Sequence, residues 1–382
     1  MRVLQLGKFY PIRGGVEKVM WDLTRGLSGK GIDCDMLCAT LPSDGIDAEH
    51  RSMAREEGRL KFLQLNPHGR VIIVPAWCKM AATMISPAMI RWLRKHRKDY
   101  DIIHVHHPDP MACLALFLSG YKGRVILHWH SDILSQKFFL TFYKPLQSWL
   151  IRRAECIIGT TPVYLSESPY LQNVQDKTTV VPIGIEPIRF DPTEAGRIRA
   201  EYPGKKIVFS LGRLIPYKGF GYLAAAARHL GPDYQIIIAG SGPLRDSLQA
   251  EIDALGVQGQ VSLHGYVEDD MLPALFNACD VFVISSIMKT EAFGIVQSEA
   301  MSCGKPVVAT EIPGSGVSWV NESGVSGLNV PVCNPEALAN AIRTVCEDAG
   351  QYQIYSEGAR QRFLVHFTLD NMIEKTIKIY NS

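Results

Sequence analysis

Short apolar runs alternate with amphipathic stretches along the first half of the chain. The run Val3–Leu6 is followed by a stretch with helical spacing from Val16 to Gly29, and then by a second apolar run at Asp33–Cys38. The further strand candidates are Val71–Val74, Ile102–His106, Val125–His130, Cys156–Gly159 and Thr179–Pro182. Apolar strands separated by helices are typical of a parallel sheet covered on both faces, so the pattern predicts an α/β, doubly wound domain.

A second series of the same kind follows a polar stretch that runs from the segment Ile183–Pro187 to Gly204. Its strand candidates are Ile207–Leu211, Tyr234–Gly240, Gln260–His264, Asp280–Ile284, Pro306–Thr310 and Leu328–Pro331. We therefore expect two Rossmann-like domains, residues 1–185 and 186–365, that face a central cleft and bind ligands at the carboxyl ends of their strands. A final helix, at about residues 366–382, is expected to pack back on the first domain.

Composition narrows the class of protein. A chain of 382 residues is longer than one ordinary core, which agrees with two domains. Lys plus Arg number 40 against 38 for Asp plus Glu, so the overall charge gives no indication of a nucleic-acid partner. The nine cysteines are scattered without a C-x-x-C pair, which is typical of reduced thiols. With no signal-peptide core and no apolar run of about 18 residues in the sequence, we expect a cytoplasmic protein.

The first predicted domain offers a glycine pair where an anion can bind. Gly14 and Gly15 lie between the first strand and the helix that carries Glu17. Glycines at such a turn let the backbone approach an anion, and the helix N-terminus supplies unpaired N–H groups. The same pattern fits a simple tight turn, so the pair indicates a phosphate contact without deciding it.

Two cations occupy the corresponding loop of the second domain. Arg213 and Lys218 lie in the segment Gly212–Gly219, directly after the first strand of that domain. Their charges in a glycine-bounded loop suit a diphosphate, and the alternative is two solvated surface charges. Gly240 and Gly242 follow the next strand and can bring the backbone close to a ligand, but this motif is too short to decide a function.

Two glutamates, Glu291 and Glu299, follow the strand Asp280–Ile284, and Gly294 between them is expected to mark the start of a helix. A separation of eight helical residues is roughly 12 Å, too far for a close acid/base pair. A carboxylate accepts two hydrogen bonds from a vicinal diol, so one glutamate on a sugar ring and the other on a ribose is a consistent assignment. Two solvated glutamates on a surface helix are the alternative, and the largely apolar run Ala292–Val296 argues against it.

Five histidines lie at the ends of two neighbouring predicted strands: His104, His106, His107, His128 and His130. Such a cluster could ligate zinc, but successive strand residues point to opposite faces, and no cysteine or carboxylate completes a recognisable ligand set in the sequence. We therefore expect no metal ion at these residues, and we expect His130 to line the substrate site.

Two stretches combine cations with aromatic residues. Residues 91–98 form a strongly basic run, and residues 137–153 interleave aromatic and apolar side chains with Lys144, Arg152 and Arg153. Cations beside exposed aromatic rings are attracted to anionic membrane surfaces, which would suit a lipid-linked substrate. The alternative is a solvated helix face for the first stretch and core packing for the second.

Seven motifs, in order, resemble those of the family 4 retaining glycosyltransferases, which adopt the GT-B architecture of two facing Rossmann-like domains. The motifs are GKFYPIRGGVEKV, HWHSD, VVPIGIE, GRLIPYKG, AGSGP, HGYV and EAFGIVQSEAMSCGKPVVAT. The resemblance spans nearly the whole chain. The later stretch IPGSGVSWVNESGVSGLNVP is similar to one found in bacterial members that build cell-surface polysaccharides and O-antigens.

The resemblance implies roles for the matching positions. In the second domain, Arg213 and Lys218 would bind the donor diphosphate and stabilise the charge of the leaving group, Glu291 would hold hydroxyls of the transferred sugar, and Glu299 would hold the ribose. Backbone N–H groups would help to hold the sugar at Phe293, Gly294 and Ile295, and the nucleobase would be lined by Gly265, Tyr266 and Val267. In the first domain, Gly14 and Gly15 would meet the phosphates, His130 would lie beside the sugar, and Glu17 is the candidate acceptor contact.

The expected function is transfer of a hexose, with retention and without a metal, from a nucleoside-diphosphate sugar to a saccharide acceptor. GDP-mannose is the first candidate donor and a UDP-sugar the second, and the acceptor is expected to be a lipid-linked intermediate of a lipopolysaccharide or other bacterial surface glycan. A nucleotide-sugar epimerase of the same fold and a non-catalytic sugar-nucleotide sensor are the alternatives. A nicotinamide oxidoreductase is disfavoured, because no G-x-G-x-x-G follows a strand with an acidic residue about 20 positions later. No cofactor besides the donor co-substrate is expected.

Overall fold

The computed structural model describes residues 1–80, 83–133 and 137–382. Within these residues the chain forms two compact units. Unit 1 comprises Met1–Gly184 and Leu369–Ser382, and unit 2 comprises Ile185–Thr368. The division lies where the sequence pattern passes from the first series of strands to the second, and each unit contains its own sheet and its own buried apolar residues.

In the described residues of unit 1, the main sheet has nine strands. They are β1 (Arg2–Phe9), β2 (Asp33–Thr40), β3 (Ala54–Glu57), β4 (Leu60–Asn66), β5 (Gly69–Pro75), β8 (Ile102–His107), β9 (Arg124–Trp129), β10 (Cys156–Gly159) and β11 (Thr178–Val180). They lie in the order β11-β10-β9-β8-β1-β2-β5-β4-β3. A separate antiparallel ribbon joins β6 (Cys78–Met80) to β7 (Thr83–Ile85).

One edge of this sheet differs from the predicted parallel arrangement. Strand β4 pairs antiparallel with both β5 and β3, whereas the strands from β11 to β5 are parallel to one another. Strand β3 reads Ala-Arg-Glu-Glu and is largely exposed, so no apolar run reveals it in the sequence. Short, charged edge strands limit pairing with other chains, and the apolar pattern misses them for the same reason.

The helices of unit 1 are α1 (Gly15–Gly29), α2 (Pro87–His96), α3 (Pro110–Ser119), α4 (Lys137–Arg153), α5 (Pro162–Ser166) and α14 (Leu369–Asn381). Helix α14 packs on the sheet, because its Tyr380 side chain is buried and the hydroxyl contacts Gln5 of β1 and His104 of β8. The Arg124 guanidinium of β9 donates to the Tyr380 carbonyl oxygen over 2.6 Å. The C-terminal helix therefore contributes to the core of unit 1.

Unit 2 contains a six-stranded parallel sheet. Its strands are β12 (Lys206–Leu211), β13 (Tyr234–Ala239), β14 (Val261–Gly265), β15 (Val281–Ile284), β16 (Val307–Glu311) and β17 (Gly327–Pro331), in the order β14-β13-β12-β15-β16-β17. Its helices are α6 (Pro192–Glu201), α7 (Phe220–Ala226), α8 (Arg245–Leu255), α9 (Leu272–Ala278), α10 (Ile295–Ser302), α11 (Val317–Val320), α12 (Pro335–Glu347) and α13 (Ala349–Arg362). The predicted α/β class with parallel sheets is confirmed.

The strand orders identify where each sheet can hold a ligand. The order reverses between β1 and β8 in unit 1, and between β12 and β15 in unit 2. At such a switch point the connections leave towards opposite faces of the sheet, so a crevice opens at the carboxyl ends of the two strands. The loops after these strands are therefore the first place to look for a functional site in each unit.

Candidate functional site

Lys218 and Glu291 form an ion pair at the carboxyl edge of the unit 2 sheet. The Lys218 Nζ lies 2.5 Å from the Glu291 Oε2, and the two side chains are only 12% and 11% exposed. The Ser286 hydroxyl donates to the same carboxylate oxygen over 2.9 Å. Because an ammonium group has three N–H donors, Lys218 can bind a further anion while Glu291 fixes its position.

Hydrogen bonds from neighbouring loops hold both members of this pair. The Ser285 hydroxyl, after β15, donates to the Lys218 carbonyl oxygen over 3.0 Å. The Ser315 hydroxyl, after β16, donates to the Glu291 carbonyl oxygen. The loops after β12, β15 and β16 are thus joined around the ion pair. Sequence reasoning missed Ser285 and Ser315, because a serine in a loop gives no signal of the backbone group that it will bind.

Gly294 separates Glu291 from the helix that carries Glu299. It has a φ of 72° and caps α10, whose first residue is Ile295. The predicted helix start is confirmed, but the spacing estimate that treated both glutamates as part of one helix is wrong. A left-handed backbone at Gly294 interrupts the helix, so Glu291 lies in the preceding turn. Phe293, beside the glycine, is buried.

Gly240 and Gly242 let the loop after β13 pack against the loop after β12. Gly240 has a φ of 129°, and a Cβ placed on it would come within 1.9 Å of the Gly212 carbonyl oxygen. A Cβ on Gly242 would come within 2.4 Å of the Leu214 carbonyl oxygen. Arg213 lies between these two contacts and is exposed. The glycines therefore position the Arg213 loop through close backbone packing.

The loop after β14 presents an aromatic side chain. Strand β14 ends at Gly265, which has a φ of 85°. The following Tyr266 is 66% exposed, whereas Val267 is buried. An exposed aromatic ring at the carboxyl edge of a sheet offers a flat surface on which a planar group can stack.

In unit 1, the predicted glycine pair begins helix α1. Gly14 is the residue before the helix and Gly15 is its first residue. A Cβ on Gly14 would come within 2.1 Å of the Glu17 carboxylate, so that carboxylate folds back over the start of its own helix. Glu17 is buried in the first turn, where the helix dipole favours a negative charge. Gly14 therefore has a structural role in admitting the Glu17 side chain.

Four of the five histidines stack on one face of the unit 1 sheet. Residues two apart on a strand share a face, and the register places His106 of β8 opposite His128 of β9. The ring centroids of His128 and His130 lie 4.0 Å apart, and those of His106 and His130 lie 5.2 Å apart. His107 faces the other side and stacks on Trp129 at 3.8 Å. The expectation that successive strand residues point to opposite faces therefore separates only His107 from the other four histidines.

Burial sets the charge state of this histidine stack, which consists of His104, His106, His128 and His130. Loss of solvent lowers the pKa of all four imidazoles, and it lowers the pKa of His128 to about 3. Neighbouring histidines lower the pKa of His104, His106 and His130 further, because like charges repel. The stack is therefore neutral near pH 7.

A chain of hydrogen bonds connects His130 to the terminal helix. The His130 Nε2 lies 2.9 Å from the His106 Nδ1, and the His106 Nε2 lies 2.8 Å from the Gln5 Oε1. The Gln5 amide nitrogen donates to the Tyr380 hydroxyl over 3.0 Å. That hydroxyl lies 2.6 Å from the His104 Nδ1. Strands β1 and β8, the loop after β9 and helix α14 thus meet in one buried polar network.

The hydrogen-bond partners in this network assign the tautomers. Since the Gln5 Oε1 can only accept, His106 carries its proton on Nε2, and its Nδ1 accepts from the Nε2–H of His130. The His130 Nδ1 is therefore an unprotonated acceptor, buried and without a hydrogen-bond partner in the described ranges. Sequence reasoning identified His130 but missed Gln5, which lies 125 positions away and is brought beside β8 only by the sheet.

Both halves of the chain match glycosyltransferase families. Residues 13–189 match Glycosyltransferase Family 4, and residues 193–362 match Glycosyl transferases group 1. The chain is 30% identical over 386 residues to the O-antigen chain mannosyltransferase C of Escherichia coli, covering 100% of this chain and 98% of that protein. It belongs to the family 4 glycosyltransferases.

Other relatives agree with this family 4 membership. The chain is 31% identical over 374 residues to the D-rhamnosyltransferase WbpZ of Pseudomonas aeruginosa, covering 96% of this chain and 92% of that protein. Its fold is similar to that of Anabaena HepE, solved in complex with UDP, with a TM-score of 0.79, 22% identity and full coverage of both chains. The predicted GT-B architecture of two Rossmann-like domains is confirmed.

The loop after β9 in this glycosyltransferase is held by a residue to which sequence reasoning gave no role. The Asp132 carboxylate accepts from the Trp129 indole N–H over 2.9 Å and from the Ser168 hydroxyl over 2.7 Å. Its backbone N–H donates to the Tyr164 hydroxyl over 2.9 Å. These bonds fix the chain on both sides of His130. The aspartate ends the HWHSD motif, so its position in the motif could have drawn attention to it.

The stack contains nitrogens with a spacing that a metal could use. His104, His106 and His128 each offer one ligand atom, and these atoms all lie within 4.8 Å of one another. Both nitrogens of His106 already have hydrogen-bond partners, however, so a metal would have to displace one of them. The metal-free mechanism stays a prediction of the family resemblance.

The two candidate membrane stretches differ in exposure. On α2, Arg91, Arg94 and Lys95 are exposed, whereas Trp92 is buried. The side chains of residues 137–140 lie outside the described part of the chain. Further along α4, Tyr143 and Leu150 belong to the core and Phe142 is 73% exposed. None of the helices in the described ranges has both the length and the apolar composition needed to cross a bilayer.

Proposed function

We propose that this glycosyltransferase transfers a hexose, with retention of anomeric configuration, from a nucleoside-diphosphate sugar to a lipid-linked saccharide of a bacterial surface glycan. GDP-mannose is the first candidate donor, supported by the name of the mannosyltransferase relative in Escherichia coli. A UDP-sugar is the second, since Anabaena HepE has been solved with UDP-glucose. The reaction is proposed to take place in the cytoplasm, at the inner face of the membrane.

The observation that carries the donor assignment is the Lys218–Glu291 ion pair. Its two members lie in the loops after β12 and β15, and serine hydroxyls from the loops after β15 and β16 hold them at the switch point of a Rossmann-like sheet. In the proposed complex, Lys218 and the exposed Arg213 contact the diphosphate. Negative charge develops on that group as it leaves, so two cations placed there lower the barrier. Glu291 accepts hydrogen bonds from hydroxyls of the sugar, next to the phosphate that Lys218 holds.

Other residues of unit 2 are proposed to bind the remainder of the donor. Glu299 accepts hydrogen bonds from the ribose, and Tyr266 stacks on the nucleobase beside Gly265 and Val267. The backbone at the start of α10 supplies N–H groups for the negative part of the ligand, at Phe293, Gly294 and Ile295. Gly240 and Gly242 keep the phosphate loop in position and let its backbone approach the ligand.

Unit 1 is proposed to contribute a second set of contacts. The unprotonated Nδ1 of His130 accepts a hydrogen bond from a hydroxyl of the transferred sugar. Gly14 and Gly15 present the start of α1 to the phosphates. Glu17 is proposed as the acceptor contact, which would require its carboxylate to turn away from Gly14.

The proposed reaction needs no protein nucleophile. The acceptor hydroxyl attacks the anomeric carbon from the face on which the diphosphate leaves. The bond from that carbon to the diphosphate oxygen breaks, the bond to the acceptor oxygen forms, and the hydroxyl proton passes to the diphosphate. The configuration is retained because attack and departure occur on the same face. No metal and no cofactor besides the donor takes part.

The test is to incubate the protein with GDP-mannose or UDP-glucose and follow the products by NMR. Water serves as the acceptor, and retention predicts that the α-anomer of the free sugar appears first, before mutarotation, together with the nucleoside diphosphate. Initial release of the β-anomer would contradict retention. An epimerase would leave an isomerised nucleotide sugar, and a sensor would bind the donor without turnover; either result would contradict the proposal.

A further inference from the structure

A cavity of about 860 Å³ opens in unit 1, at the carboxyl edge of its sheet. It lies at the carboxyl ends of β2 and β5, between helix α2 and the turn that joins β3 to β4. Thr40 ends β2 and Pro75 ends β5, and both line the cavity. Strand β2 pairs with β1, the strand that leads into Gly14. The cavity is therefore close in the sheet order to the proposed phosphate contact of unit 1, on the side away from the histidine stack.

The walls of the cavity carry an excess of positive charge. Arg59 and Lys61 approach from the β3–β4 hairpin, and Arg91 and Lys95 approach from successive turns of α2. The described residues that line the cavity include no Asp or Glu. In the described part of the chain none of these four cations has an ion-pair partner, although Lys61 contacts the Asp44 carbonyl oxygen at 3.5 Å. Four cations without a counter-charge in one concave surface favour an anionic ligand.

Aromatic rings lie beside these cations. Trp92 is buried and stacks on His96 at 4.5 Å, so it forms a rigid part of the wall. Trp77 is 75% exposed, yet its backbone is fixed because its N–H donates to the Ile85 carbonyl oxygen over 2.8 Å. A large exposed ring on a fixed backbone can pack against an apolar chain or a sugar at little entropic cost.

We infer that this cavity binds the phosphate group of the acceptor, the group that joins its saccharide to its lipid. The inference rests on the proposed function, which makes the acceptor a lipid-linked saccharide. Arg59, Lys61, Arg91 and Lys95 pair with the phosphate oxygens, and Trp77 packs on the adjoining lipid or sugar. The bound phosphate thereby holds the acceptor at the carboxyl edge of the sheet.

A specific acceptor site and a diffuse membrane contact would use different cations of α2. Arg94 and Lys98 are exposed and belong to the same basic run as Arg91 and Lys95, but they do not line the cavity. A flat anionic bilayer would attract all four of these cations alike, because charge near the surface is what matters. A ligand inside the cavity would contact Arg91 and Lys95 but not Arg94 and Lys98.

The experiment uses farnesyl diphosphate as the probe, with farnesol and inorganic pyrophosphate as its two halves. Calorimetric titrations are made on the full chain carrying Arg213→Ala and Lys218→Ala, so that the proposed donor site does not compete for the diphosphate. We expect farnesyl diphosphate to bind more tightly than either half. Adding Arg91→Ala with Lys95→Ala should lower the affinity for farnesyl diphosphate at least tenfold. Adding Arg94→Ala with Lys98→Ala should change that affinity less than twofold. Trp77→Ala should lower the affinity for farnesyl diphosphate but leave the affinity for pyrophosphate unchanged.

The inference would be overturned if the two double variants lost affinity for farnesyl diphosphate equally, or if farnesyl diphosphate did not bind at all. Co-sedimentation with phosphatidylglycerol vesicles tests the membrane alternative, which predicts that both pairs matter equally and that farnesyl diphosphate alone does not bind. Thermal unfolding of each variant checks the fold. Failure here is distinguishable from failure of the proposed function, because binding of GDP-mannose or UDP-glucose to the wild-type donor site is measured separately and should not change in Arg91→Ala with Lys95→Ala.

Discussion

His130 donates a hydrogen bond to His106, with 2.9 Å between the Nε2 of the first and the Nδ1 of the second. Gln5 fixes the direction of this bond by accepting from the other nitrogen of His106. The His130 Nδ1, on the other side of the ring, is therefore unprotonated, and it has no hydrogen-bond partner among the residues that the structure describes. His130 is thereby prepared to accept a hydrogen bond from a hydroxyl rather than to donate one to a phosphate.

Replacing Gln5 by Leu should disturb this tautomer. Without the acceptor oxygen, His106 can protonate either nitrogen and His130 loses its fixed direction. We expect kcat for donor turnover to fall roughly tenfold, about 1.4 kcal/mol in barrier, with little change in KM. Nitrogen-15 NMR of the imidazoles should show an unprotonated Nδ1 for His130 in the wild type and mixed tautomers in Gln5→Leu. A single unchanged tautomer in the variant would contradict the assignment.

The histidine stack also predicts how stability depends on pH. Burial lowers the pKa of each folded-state imidazole below the ordinary 6.5, and that of His128 to about 3. Between the folded-state and unfolded-state pKa values, the unfolded chain therefore binds more protons than the folded chain. The stabilisation contributed by the neutral histidine stack is complete above pH 6.5 and is lost as the pH falls. Each such histidine should cost about 1.4 kcal/mol of unfolding free energy per pH unit below 6.5. Urea denaturation from pH 7 to pH 5 measures this.

A variant identifies the contribution of one histidine. His128→Gln should reduce the pH slope by about one proton relative to wild type. In the wild-type protein, the imidazole signals of the stack should show no protonated form at pH 6 by NMR. A protonated stack at pH 6, or a slope that His128→Gln leaves unchanged, would be inconsistent with this account.

The contact between the loops after β12 and β13 predicts a strong effect at one glycine. Gly240→Ala would place a Cβ 1.9 Å from the Gly212 carbonyl oxygen at a φ of 129°. We expect it to destabilise unit 2 by about 2 kcal/mol or more and to weaken donor binding, because the Arg213 loop must shift. Gly259→Ala is the control, since nothing lies within 4 Å of its Cβ position. Similar melting temperatures for the two variants would show that the contact is not restrictive.

The sequence predicted the parallel strands of both units, because most of them are apolar runs that helical stretches separate from one another. It did not reveal β3, whose exposed Arg55, Glu56 and Glu57 carry no such pattern. The motif residues Lys218 and Glu291 were identified separately, but not as a pair, since 73 positions separate them and only the sheet order brings their loops together. Gln5 and Asp132 act through neighbours, so their roles become visible only with the geometry.

The absence of a metal requirement is also testable. We expect donor turnover to be unchanged after EDTA treatment and unaffected by added magnesium, because Arg213 and Lys218 are proposed to neutralise the diphosphate. The measurement is release of the nucleoside diphosphate before and after chelation. Loss of activity with EDTA and recovery with a metal would contradict this, and metal analysis of a His104→Gln variant would then test the histidine stack as the site.

The central claim is that Lys218, held by Glu291, binds the donor diphosphate. The most direct measurement is calorimetric titration of GDP-mannose and UDP-glucose into wild type, Lys218→Ala and Lys205→Ala. Lys205 precedes β12 at the opposite edge of the same sheet and serves as the charge-matched control. The account predicts at least a tenfold loss of donor affinity in Lys218→Ala, equivalent to about 1.4 kcal/mol, and wild-type affinity in Lys205→Ala. Equal donor affinity in all three proteins would contradict it.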